Sequence, residues 1–78
     1  MTYIADRITV DERICNGKPT VRGLSITVKT VLEFLFAGES REEILYQYPD
    51  LTNEDLDACL QFALNMTDHK HIVYPLAA

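Results

Sequence analysis

Seventy-eight residues, 47% hydrophobic and 24% charged with three Gly and three Pro, make one domain of ordinary globular composition and exclude a disordered tail or a pair of domains. A formal net charge of -5 argues against tight nucleic-acid binding by an isolated monomer, because such affinity comes largely from neutralising phosphates. No run of about 18 apolar residues occurs, and the start MTYIADRITVDER lacks the basic and apolar stretches of a secretory signal, so the expectation is a soluble, cytoplasmic chain with no membrane association.

The charge is uneven along the chain. Residues 1–29 carry five basic against three acidic side chains, or +2, and residues 30–78 carry two against nine, or -7. A basic arm therefore precedes an acidic body, and an acidic body suits a basic partner. Tyr3 to Val10 alternates loosely, with Ile4, Ile8 and Val10 apolar, and predicts a half-buried strand. Asn16-Gly17, between short apolar stretches, predicts a two-residue hairpin turn, with Pro19 at a sheet edge. Residues 1–24 thus read as a short N-terminal β arm.

Helical periodicity begins after Ile26. Thr27 is placed to cap a helix over Val28 to Ala37, with Val28, Val31, Leu32, Leu35 and Phe36 as its apolar stripe and Gly38 as its stop. Ser40-Arg41-Glu42-Glu43 reads as a capping box opening a second short helix that carries Ile44, Leu45 and Tyr48 and ends at Pro49. Thr52-Asn53-Glu54-Asp55 repeats that logic ahead of a third helix to about Thr67, striped by Leu56, Cys59, Leu60, Ala63 and Leu64. The link Pro49-Asp50-Leu51 is of the length that sets two helices at a steep angle in a helix-turn-helix. Residues 27–67 are therefore a mainly α, three-helix bundle. Residues 68–78 form a C-terminal tail with an extended pattern.

Chemistry-bearing motifs are scarce. Catalysis needs an activated nucleophile or a positioned acid and base. The only histidines, His69 and His71, lie in the tail, and two imidazoles alone make an incomplete metal site. Glu42 and Glu43 are adjacent on a helix and diverge by about 100°, which suits capping and solvation. Gly17-Lys18-Pro19-Thr20 lacks the earlier glycine of a phosphate loop. Cys15 and Cys59 stand far apart and outside any C-x-x-C pair, and read as free thiols. No enzyme activity and no cofactor is expected. Phe34, Phe36, Tyr46, Tyr48, Phe62 and Tyr74 are more aromatic surface than three small helices bury, and cover is expected from the arm, the tail or a second chain.

The run Ile14-Cys15-Asn16-Gly17-Lys18-Pro19-Thr20-Val21-Arg22-Gly23, then Leu35 to Ser40, Glu42-Glu43-Ile44-Leu45 and Tyr48-Pro49-Asp50-Leu51-Thr52, resembles the domain-of-unknown-function 433 family over about Ile8 to Ala63. The resemblance implies a homeodomain-like three-helix fold behind a β arm. It further implies an antitoxin that binds and silences a PIN-like nuclease toxin and, with it, represses its own operon through operator DNA. This chain departs from the family at Gly23-Leu24-Ser25-Ile26-Thr27-Val28, where Ser25 stands for the usual arginine and Thr27 for the usual proline. If the family arginine contacts a phosphate or a partner carboxylate, this chain lacks that contact.

These readings fix the expected sites. Lys18, Arg22, Lys29 and Arg41 are expected to anchor phosphates, with Asn53 and Gln61, joined by Asn65, reading bases from the third helix. Glu54, Asp55 and Asp57 crowd that helix's first turn and oppose DNA, so free binding is expected to be weak. Ile72, Tyr74 and Leu76 are expected to pack on the toxin or on a second copy. A homodimer is expected through the open strand edges of the arms. The alternative is a dimeric interaction or regulatory module with the same fold that does not bind DNA.

Overall fold

The computed structural model describes residues 1–68. Three short strands come first: β1 (Thr2–Ala5), β2 (Ile8–Val10) and β3 (Thr20–Val21), antiparallel in the order β1-β2-β3. Three helices follow: α1 (Val28–Phe36), α2 (Arg41–Gln47) and α3 (Asn53–Thr67). No helix among the described residues is long and apolar enough to cross a membrane.

The arm differs from the sequence expectation in where it turns. Tyr3 to Val10 is a hairpin, with Thr2 opposite Val10, Tyr3 opposite Thr9 and Ala5 opposite Ile8, and a bulge between Tyr3 and Ala5. Its two-residue turn is Asp6-Arg7, with Arg7 at a φ of 64°. Asn16-Gly17 is not a two-residue hairpin turn. It lies in a 3-10 turn, Cys15–Gly17, within the longer connection from β2 to β3. Both residues adopt left-handed backbone, at φ 56° and 80°, so their conformational preference is met in a different setting. Pro19 does precede an edge strand. The outer side of β3 is closed by residues 26–28, through Val21 N–H to Ile26 O at 3.1 Å and Val28 N–H to Pro19 O at 3.0 Å.

Each helix starts where a hydroxyl can accept a stranded N–H. Thr27 accepts from Thr30 N, Ser40 from Glu43 N and Thr52 from Asp55 N. The complete reciprocal box forms at Thr52 rather than Ser40: the Asp55 carboxylate returns to Thr52 N, whereas Glu43 accepts from Gln47 Nε2 at 3.1 Å.

The core joins sheet and bundle. Ile8 and Val21 from the strands meet Val28 and Val31 of α1, Ile44 of α2, Leu51 of the α2–α3 link, and Leu56, Ala58 and Cys59 of α3. Burying a Leu- or Ile-sized side chain contributes roughly 1.5–3 kcal/mol, so the arm is structurally part of the bundle. Between the strands the buried Thr9 and Thr20 hydroxyls bond each other at 3.1 Å, and Gly23 N–H donates to Thr9 Oγ1 at 2.8 Å. Two apolar expectations shift. Phe36, expected in the α1 stripe, is 94% exposed, while Phe34 packs partly against Tyr48 with ring centroids 5.8 Å apart. The α3 stripe leaves the core after Cys59, and Leu64 and Met66 are exposed.

Candidate interaction site

A fully buried carboxylate ties the arm to α3. Asp55, in the first turn of α3, is fully buried. Its carboxylate accepts Arg22 Nε at 2.9 Å and Arg22 Nη2 at 2.8 Å, Arg7 Nη1 at 3.0 Å and Thr52 N–H at 2.9 Å. Arg22 also donates to Asp50 O at 2.7 Å. Desolvation pushes this carboxyl up, yet the Arg22 pair, the Thr52 amide and Arg7 together hold it down at about 2. Both arginines sit in left-handed backbone, Arg7 at φ 64° and Arg22 at φ 45°, and Arg22 N–H bonds Arg7 O at 2.9 Å. Non-glycine residues persist there when surrounding contacts over-determine them, and the shared carboxylate does so here. Asp55 therefore shields its charge inside the fold, and Arg22 directs its guanidinium inward.

The expected nucleic-acid residues fall into separate places. Arg41 Nη2 donates to Asp57 Oδ1 at 2.7 Å and its Nη1 lies 3.5 Å from Asn53 Oδ1. Gln61 is exposed on α3 and donates to Asn65 Oδ1 at 3.0 Å. Lys18 and Lys29 meet at the rim of another feature, an apolar groove of about 460 Å³ between α1 and α3. Leu32 and Phe36 form one wall and Phe62, Ala63 and Met66 the other, with Glu33 beside Lys29 at 3.7 Å. Ile72, Tyr74 and Leu76 lie outside the described residues.

A third surface is acidic. Glu39, Glu42, Glu43, Asp50 and Glu54, on and around α2 and the start of α3, are exposed and have no cation within ion-pair distance among the described residues. Glu54 and Asp57 also border a shallow polar hollow of about 380 Å³ with Asp6, Arg7 and Gln61. Among the described residues no three His, Cys, Asp or Glu converge as metal ligands. Both cysteines are free. Cys59 is buried and its thiol is pushed up to about 11 by desolvation and by Asp55, whereas Cys15 is half-buried.

Sequence reasoning missed the Arg7–Asp55–Arg22 cluster and the groove. The cluster joins positions 48 and 33 residues apart, for which local spacing carries no signal. The groove had one sequence signal, the excess of aromatic residues over what three small helices bury. No curated protein and no solved structure matches the chain. A family model does match, over residues 8–63, the stretch that runs from the first core residue of β2 to the groove wall on α3, and the chain belongs to the family described as protein of unknown function (DUF433).

Proposed function

We propose that this chain is an antitoxin-like binding module that engages and inhibits a basic nuclease, of the PIN-like type that the family resemblance implies, through its acidic α2–α3 surface. The observation that carries the reading is the set of exposed carboxylates at Glu39, Glu42, Glu43, Asp50 and Glu54 with no cationic partner among the described residues. Like charges gathered without counter-charges cost the isolated fold some stability, and a basic protein surface recovers that cost while speeding encounter. The α2–α3 pair, joined through the buried Leu51, is read as a homeodomain-like helix-turn-helix, and the tail residues Ile72, Tyr74 and Leu76 are assigned to the nuclease contact.

Operator DNA takes second place in this reading. Arg22, Arg41 and Lys29 are already engaged by Asp55, Asp57 and Glu33, so phosphate anchoring falls chiefly to Lys18, and Glu54 beside Asp57 opposes approach of α3 to a duplex. That observation favours on one point the second reading, a dimeric interaction or regulatory module that does not bind DNA. Co-expression with the nuclease encoded by a neighbouring reading frame tests the main reading. Co-purification and loss of RNA cleavage are expected. A nuclease that purifies alone and stays active in the presence of this chain would refute it.

A further inference from the structure

The groove between α1 and α3 lies apart from the acidic surface and shares no residue with it. We propose that its occupant is a second copy of this chain, docked through a two-fold axis that sets the α1 helices antiparallel. Three features point to a copy rather than to another partner.

The first is a knob beside a hole. Phe36 ends α1 at the lip of the groove and is 94% exposed, so it adds little to its own fold. The second is charge. Lys29 and Glu33 stand one turn apart on the rim, and a two-fold axis between antiparallel helices places each lysine against the other copy's glutamate. Such self-complementarity is what an interface between identical surfaces requires, residue i meeting j while j meets i. The third is register. Opposing Lys29 to Glu33 carries Phe36 toward position 26 of the mate, and the groove there is floored by Pro19 and Thr27. The knob thus reaches the far end of the mate's hole.

The arm offers a poorer interface than the sequence suggests. The outer side of β3 is closed by residues 26–28, and the hairpin is tied to α3 by Arg7 and Arg22. Among the described residues only the outer edge of the four-residue β1, interrupted by its bulge, stays open. A small domain gains more from covering an apolar groove than from a few edge hydrogen bonds.

The test is light scattering of the purified full chain at tens of micromolar and low salt, with circular dichroism as the check on folding. The native chain is expected at twice its 8.9 kDa mass. Phe36→Asp is expected at the monomer mass with an unchanged spectrum, because the side chain it alters is exposed. Lys29→Glu is expected to lose the dimer, and the exchange Lys29→Glu with Glu33→Lys to restore it. A monomeric native chain overturns the proposal. So does a folded Phe36→Asp dimer, which would move the interface to the β1 edge, and so does an exchanged variant that stays monomeric.

Discussion

Asp55 is the residue on which arm and bundle depend together. Its depressed carboxyl means that the folded state binds its proton later than the unfolded chain does. The stability this group contributes is therefore complete above the ordinary carboxylate value of 3.8 and is lost as pH falls toward about 2. Urea unfolding followed from pH 6 to pH 2 should show the midpoint falling through that window, and Asp55→Asn should flatten the decline. At neutral pH the same variant leaves two arginines without their counter-charge and should cost roughly 3 kcal/mol, the low end for a broken buried pair because both guanidiniums reach solvent. Arg22→Lys should recover only part of the loss of Arg22→Ala, since an ammonium cannot reproduce the two-point contact through Nε and Nη2. The thiols give an independent check. Cys59, buried and held protonated, should resist a thiol reagent in the native state, while Cys15 reacts. One thiol per chain should titrate before denaturation and two after it.

At the scale of elements, what was legible in sequence is what local chemistry decides. Thr27, Ser40 and Thr52 each announce a helix start because the donor they satisfy lies three residues on, within reach of pattern reading. Which of them closes a full box was not legible, because Asp55 is steered back to Thr52 by burial against Arg7 and Arg22. Thr52→Ala should accordingly destabilise more than Ser40→Ala, where an exposed cap lost costs about 1 kcal/mol, and thermal unfolding of the pair measures the difference. The β arm was legible, but its tight turn was misplaced for the complementary reason. Its real turn, Asp6-Arg7, carries no glycine or asparagine, and a left-handed arginine is paid for by a contact 48 residues away. The stripes were read correctly where they meet the core: Leu56→Ala should cost roughly 2–5 kcal/mol. They failed at Phe36 and Leu64, where apolar periodicity continues past the last neighbour able to cover it.

For the whole molecule, the fold sorts the charged residues into separate surfaces that a count along the chain does not resolve. Arg22 belongs to the fold, Arg41 to the α2–α3 contact, Lys18 and Lys29 to the groove rim, and the exposed carboxylates to the surface on and around α2 and the start of α3. The candidate site was legible in kind, as an acidic body set against a basic arm, but not in place, since Arg22, Arg41 and Lys29, three of the four expected anchors, each pair with a carboxylate of the chain. Arg22→Ala should therefore lower stability, whereas Lys18→Ala should lower the salt slope of any measured DNA binding by about 0.9 per lost contact and leave stability unchanged. The most direct measurement of the central claim is a calorimetric titration of a PIN-like nuclease, the partner proposed above, with the native chain and with a variant carrying Glu39→Gln, Glu42→Gln and Glu54→Gln, at low and at physiological salt. The account predicts a native complex that weakens as salt rises and a variant that binds at least about tenfold more weakly at low salt. Equal affinity for the two chains, or no heat of binding from the native one, would contradict it.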